Sequence, residues 1–274
     1  MDHQKHVTYI SYLKVDQLLQ LQEPLSDGPE HDELLFITIH QVYELWFKQI
    51  LHEAAALQNS LEAGQTHRSM ALLGRIRTIM KTCVAQLDIL ETMTPLQFNS
   101  FRARLSSASG FQSAQFRELE AVLGRRDQAG AAADKSSGMG MAEHLIPDSP
   151  ARNKVEAAML RRSLWDSALR FFNTKKAMPQ DALERDVTKA WQEHPGVQSA
   201  LIELHRSDPE ASMIGEALMD LDEGFQEWRY RHVKMVERTI GKKPGTGGSS
   251  GVGYLASTLL QPVFPDLWAI RSQF

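Results

Sequence analysis

The sequence predicts an all-α protein, a helical bundle joined by irregular loops. Three observations predict it. Apolar residues recur at helical spacing along nearly the whole chain. Residues 31–62 run without a proline or glycine, and 209–241 form a second long periodic segment. Strand signals are scarce, because no Asn-Gly or Asp-Gly turn sits between alternating apolar runs.

Taken in order, residues 9–23 carry Leu13, Leu18, Leu19 and Leu21 up to Pro24, which cannot continue a helix. Residues 31–62 would span roughly 45–50 Å at a rise of 1.5 Å per residue, and so need other long helices to cover them. Residues 68–93 repeat the pattern through Leu72, Leu73, Ile76, Ile79, Met80, Val84, Leu87 and Leu90. Thr94-Pro95 reads as N-cap and first helical position of a helix over 95–105, since proline fits the first turn. Ser113 to Gly124 reads as a further helix. Residues 127–143 are Ala, Gly and Ser with few large side chains, which predicts a flexible loop. The helices on its two sides need each other for a core, so residues 1–274 read as one domain. Residues 151–205 carry weaker helical pattern, with Pro179 and Pro195 as breaks. The 209–241 helix ends at Gly241 with Pro244 beyond. A glycine-rich stretch then leads into a last short helix.

Composition bounds the function. The 274 residues are 42% apolar and 23% charged, an ordinary globular balance, with a formal charge of -4. Nucleic-acid binding proteins are basic overall or carry a basic face, and this chain has only short isolated basic pairs. The single cysteine, Cys83, excludes an intrachain disulfide and reads as a small buried residue on a helix. No apolar run is long enough to cross a bilayer, and MDHQKHVTYI lacks the apolar stretch of a signal peptide. These features predict a cytoplasmic enzyme or binding protein.

Several motifs invite chemistry. GTGGSSG has neither the spacing nor the preceding strand of a phosphate-binding loop. It reads as a surface connector or as a loop that closes over a ligand. The ten histidines include no H-E-x-x-H, no C-x-x-C-H and no Glu-x-x-His, which excludes the corresponding zinc, covalent haem and di-iron sites. His40, with Phe36 four residues before it and Tyr43 and Phe47 after it, faces apolar surface. His232, with Trp228, Met235 and Val236 on its face, does the same. Each is either a hydrogen-bonded core histidine or one of a pair lining a pocket. Arg102 sits beside Phe98, Phe101 and Leu105, where it either snorkels or holds an anion bidentately.

Three long strings carry a resemblance. HDELLFITIHQVYELWFKQILHE (31–53), LETMTPLQFNSFRARLSSASGFQSAQFRELE (90–120) and FQEWRYRHVKMVERTIGKKPGTGGSSGVGYL (225–255) resemble the tryptophan 2,3-dioxygenase family, as does TYISYLKVDQLLQLQEPLS (8–26). These cover somewhat under half the chain, and residues 125–215 match poorly. The resemblance implies a haem b enzyme, with ferrous iron in its active form, that cleaves the indole C2–C3 bond of L-tryptophan with O2 to give N-formyl-L-kynurenine. It implies that His232 is the axial ligand of the haem iron and that His40 lies near the indole N–H. Ser109 and Gly110, at the head of SGFQS, would lie against the haem. Phe36 and Phe98 would pack around the indole, Arg102 would bind the substrate carboxylate, and Thr246 would contact the amino-acid end. Tyr9, Tyr12 and Leu13 would come from a neighbouring subunit of an intertwined homotetramer. Phe98 stands where many bacterial relatives have tyrosine, and Leu87 where some have tryptophan. The pocket residues leave two other activities open: insertion of one oxygen atom into an indole, and non-catalytic sensing of haem or tryptophan.

Overall fold

The computed structural model describes residues 7–28, 30–126, 142, 145–245 and 252–274. All regular structure among them is helical. The backbone of α1 (Tyr9–Leu13) and α2 (Val15–Leu18) is followed by the two segments that organise everything else, α3 (His31–Glu62) and α4 (Thr66–Leu90). Next come α5 (Pro95–Arg102), α6 (Ala114–Leu123), α7 (Pro150–Met159), α8 (Leu164–Lys175) and α9 (Gln180–Leu183). The chain ends with α10 (Pro195–Ser207), α11 (Pro209–Ile240), α12 (Val252–Ser257) and α13 (Pro265–Ala269). No helix among the described residues is long and apolar enough to cross a membrane.

The long helices stand where the periodicity places them, and their ends have local causes. The Thr94 hydroxyl accepts from Gln97 N while Gln97 returns a side-chain contact to Thr94 N, a capping box that starts α5 with Pro95 in its first turn. Asp208 caps α11 by accepting from Ala211 N, ahead of Pro209. Gly124 ends α6 at φ 115°, a left-handed conformation that suits glycine. Pro195 opens α10 rather than breaking it, because His194 caps that helix and proline lacks only an N–H that would be unpaired there.

One expectation needs correcting. Residues 9–23 are not one helix. Lys14 adopts φ 54°, splitting the stretch into α1 and α2, and residues 20–28 are not helical. The reason is the lack of a partner: no residue of α1 or α2 is buried on this chain, so nothing rewards a longer helix. Tyr9 and Tyr12 are each 75% exposed, and Leu13 and Leu19 are also exposed. The segment behind them is pinned to α3: Gln41 Nε2 donates to Leu21 O, and the Glu33 carboxylate accepts from Leu25 N and Ser26 N.

α4 packs against both α3 and α11, α3 packs also on α6 and α8, and α10 lies on α11. One apolar cluster runs through these helices, with Phe101, Trp165, Phe171, Phe172, Phe225 and Phe264 among its most buried members. Residues 263–270 join it through a polar clamp. The fully buried Asp222 carboxylate of α11 accepts from Val263 N, Phe264 N and Trp268 Nε1, each at 2.9 Å. Asp222→Ala leaves those three donors unpaired and should lower unfolding stability by about 3 kcal/mol, because hydrogen bonds to a buried charged group are among the strongest. Denaturant titration checks the size, and limited proteolysis should cut the 263–274 segment faster. Asp222→Asn, which keeps an acceptor, should lose less.

Candidate functional site

Where α3, α4, α5, α6 and α11 meet they leave a cavity of about 540 Å³. Its walls are mostly apolar, including Phe36, Phe47, Leu87, Phe98, Phe116 and Trp228. Such a space, with few polar groups, has the character of a ligand site. Phe36, His40, Phe98, Arg102, Ser109, Gly110 and His232, picked out from the sequence, all line it, and so does Leu87. Tyr9, Tyr12 and Leu13 do not line this chain's cavity. Thr246 and most of the 127–143 loop lie outside the described residues.

The two histidines differ in how they are held. His40 Nδ1 lies 2.7 Å from Phe36 O, one helical turn earlier. A carbonyl only accepts, so neutral His40 carries its proton on Nδ1 and presents the Nε2 lone pair as an acceptor. Its ring lies 4.1 Å from the Phe36 ring. Phe36 in turn packs against Phe98 and Phe101 at 5.7 and 5.6 Å. Neither ring nitrogen of His232 is hydrogen-bonded among the described residues. The ring stacks instead on Trp228 at 5.1 Å with the planes 14° apart. Burial lowers the pKa of both histidines from the usual value. For His232 burial is joined by His40 and Arg117, and together they pull it down to about 4. Both imidazoles are therefore neutral at pH 7. Both keep accessible surface although protein surrounds them, because that surface faces the cavity.

Arg102, at the end of α5, donates from Nη2 to Pro244 O at 2.7 Å. No carboxylate among the described residues pairs with it, although its guanidinium has further donors. Pro244 immediately precedes the glycine-rich stretch, which links that stretch to the arginine.

A second charged group lines another wall. Glu120 of α6 is buried and surrounded by three guanidiniums. Arg117 Nη1 lies 2.7 Å from Oε2, Arg125 Nη1 lies 2.6 Å from Oε1, and Arg229 Nη2 lies 3.4 Å from Oε1. Burial alone would raise the Glu120 pKa, but the three arginines outweigh it and hold the carboxyl below its usual value. Arg229 also donates to Thr258 O and Gln261 O, and its guanidinium lies over the Phe225 ring. Arg117 is itself buried, and its Nε has no hydrogen-bond partner among the described residues. Three guanidiniums thus gather around one buried carboxylate on this wall, in the low-dielectric setting where charge is felt most.

The sequence reading missed this cluster. Its signal is the FRELE string, which places Arg117 and Glu120 on one face of an amphipathic helix, but Arg229 joins from more than a hundred residues away. Glu44 was missed as well. It lines the cavity one turn beyond His40, and Ser113 Oγ and Gln115 Nε2 donate to its carboxylate.

No three His, Cys, Asp or Glu side chains gather to hold a bare metal ion among the described residues. A lone neutral imidazole in apolar walls suits a metal that brings its own remaining ligands. The guanidiniums on that wall suit a ligand with anionic groups at one edge. The fold and site thus define an all-helical protein with a mostly apolar cavity between histidines of two long helices. Comparison with known proteins is specific. The family model described as tryptophan 2,3-dioxygenase matches residues 2–139 and 185–274. A tryptophan 2,3-dioxygenase of Herpetosiphon aurantiacus is 56% identical over 267 residues, covering 97% of this chain and 98% of the relative. That of Anaeromyxobacter dehalogenans is 53% identical over 270 residues, covering 98% and 97%. That of Caulobacter vibrioides is 41% identical over 273 residues, covering 97% and 98%. The chain belongs to the tryptophan 2,3-dioxygenase family. The relatives' likeness extends well past the recognisable strings, while the family model leaves residues 140–184, inside the stretch that read as a poor match, unmatched.

The depressed His232 pKa has a measurable consequence. Between pH 6.5 and about 4 the unfolded chain binds a proton on His232 that the folded chain does not. Stability of the protein with its cavity empty should therefore fall as pH drops through that window, by up to about 3 kcal/mol from this residue. Denaturant midpoints measured across pH should show a shallower acid decline in His232→Leu than in the parent.

Proposed function

We propose that this chain is a haem-dependent dioxygenase that adds both atoms of O2 across the indole C2–C3 bond of L-tryptophan. The bond breaks, one oxygen remains on each carbon, and the product is N-formyl-L-kynurenine. The observation that supports this most is the convergence of Phe36, His40, Phe98, Arg102 and His232 on one cavity from three separate stretches of sequence.

The residues present fit the prosthetic group. His232, neutral and without a competing hydrogen bond, would hold the iron. Ser109 and Gly110 would lie against the macrocycle, and the guanidiniums around Glu120 would face its two carboxylates. When bound, ferrous haem supplies the binding and activation of O2.

The chain itself supplies orientation and dryness. Arg102 would pair with the tryptophan carboxylate. Phe36 and Phe98 would enclose the indole and exclude water. His40, with its proton committed to Phe36 O, would accept the indole N–H at Nε2. That contact orients the ring without requiring His40 to remove a proton. Thr246 would contact the amino-acid end. Tyr9, Tyr12 and Leu13 would complete the pocket of a neighbouring subunit in an intertwined homotetramer. Their exposure on this chain supports that reading, since an apolar arm in water is costly unless covered. A cytoplasmic setting belongs to the same proposal.

Product mass after turnover with 18O2 tests the reaction. Two labelled atoms per product are expected. One labelled atom would establish the single-atom insertion instead, and absence of turnover by the ferrous protein would leave a sensor.

The role of Arg102 is tested separately. Lysine offers a point charge where arginine gives two parallel hydrogen bonds to a carboxylate. Truncating one partner of a buried charge pair costs roughly 2–5 kcal/mol, on the order of 30- to 4,000-fold in kcat/KM. Arg102→Ala should lose activity on that scale while keeping its haem. Tryptamine, which lacks the carboxylate, should bind wild type poorly and respond little to the substitution. Equal losses for tryptophan and tryptamine would show that Arg102 merely holds the pocket together.

A further inference from the structure

We infer that Trp228 is a positioning residue that sets the ring plane of His232, in place of the hydrogen bond that usually orients a metal-bound histidine. The inference rests on the reading of His232 as the haem ligand.

A histidine that ligates a metal ordinarily donates its other ring N–H to a carboxylate, a carbonyl or water, and that bond fixes the ring's rotation. His232 has no such partner among the described residues. What it has is a flat surface four residues earlier on the same helix: the indole of Trp228, near parallel at 14° and 5.1 Å away. Offset stacking at this distance is a favoured arrangement for aromatic rings. It resists rotation of the imidazole, because turning the ring would lift it off the plate.

A plate can orient its neighbour only if it is itself fixed, and Trp228 is fixed from several sides. Tyr43 and Phe47 of α3 meet it edge-on, at 6.5 Å and 74° and at 6.4 Å and 85°. Phe116 of α6 lies 4.9 Å away, and Phe225 of α11 lies at 6.3 Å. Tyr43 is in turn tied to α4, since its hydroxyl donates to Cys83 O at 2.8 Å. The indole is therefore braced by residues of three helices and, through Tyr43, by a fourth.

The indole N–H points the same way. Trp228 is buried, yet its Nε1 makes no well-formed hydrogen bond among the described residues, only a weaker polar contact with the Tyr43 hydroxyl. A buried Trp usually satisfies that group, and leaving it unpaired is costly. A phenylalanine or leucine would fill apolar space without that cost. The broad indole face is what the site keeps in exchange.

Four variants separate orientation from simple filling: Trp228→Phe and Trp228→Tyr keep an aromatic plate, while Trp228→Leu and Trp228→Met keep only apolar bulk. Each is purified as holoenzyme and read in two ways. The first is the electron paramagnetic resonance spectrum of the low-spin ferric cyanide complex, whose g-values depend on the imidazole plane. The second is the rate of haem transfer to apomyoglobin. The aromatic variants should keep one wild-type-like set of g-values. The aliphatic variants should show broadened or multiple sets, with haem loss faster by roughly 10- to 100-fold, the usual scale for losing an outer-shell partner. A single sharp wild-type spectrum and wild-type haem retention in both Leu and Met variants overturns the inference. So does equal disturbance in all four, which would mean that Trp228 acts only by its size. An aliphatic variant that cannot retain haem while Trp228→Phe does also supports the plate. His232→Ala is run alongside: if it keeps a wild-type haem spectrum, the ligand assignment is what fails, and not the role of Trp228.

Discussion

A single buried carboxylate holds one wall of the cavity together. Glu120 is the shared partner of Arg117 from its own helix, Arg125 from just beyond that helix and Arg229 from α11. Without its negative charge three guanidiniums would face one another in a medium that screens them poorly. With it, α6 is locked to α11, and Arg229 can reach on to the carbonyls of Thr258 and Gln261. The same ion group therefore fastens the helices and places guanidiniums along the cavity wall.

Across the cavity the organisation is different. The α3 wall is mostly aromatic; the Glu44 carboxylate on it is taken up by Ser113 and Gln115, and His40 is kept neutral by burial. Its proton is spoken for by the backbone of its own helix. Polarity is thus sorted by wall: an imidazole and a carboxylate on α3, a cation on α5 that no carboxylate among the described residues pairs with, a cationic group on α6 and α11, and apolar rings between them. A ligand that enters must match all of these at once, which is how a small number of polar groups gives orientation inside a mostly apolar space.

Much of this was legible in the chain. The period of the apolar residues is a local property, so α3, α5, α6 and α11 could be placed closely, and Thr94 and Gly241 mark ends through contacts within one turn. His40, His232 and Arg102 were visible as polar groups on apolar faces. The Glu120 cluster was not, because its members are far apart in sequence and each alone looks like an ordinary surface charge. The stretch 9–23 misled for the opposite reason. Its leucines have helical spacing, but the surface that would reward a long helix is not on this chain's body.

The distance along the chain between α3 and α11 has a further consequence, for the order of events in synthesis. The wall bearing Phe36 and His40 leaves the ribosome long before the wall bearing His232 and Arg229 exists. For most of translation the nascent chain shows a half-built aromatic face with nothing opposite it. Contacts between such distant segments form slowly, since a long loop must close before they are rewarded. Exposed apolar surface of this kind is what chaperones hold and what aggregation exploits. The cavity can exist only after α11 has docked, so cofactor capture is a late step for each new molecule. Cells that make the chain faster than they supply the ligand would accumulate it with the cavity formed but unfilled.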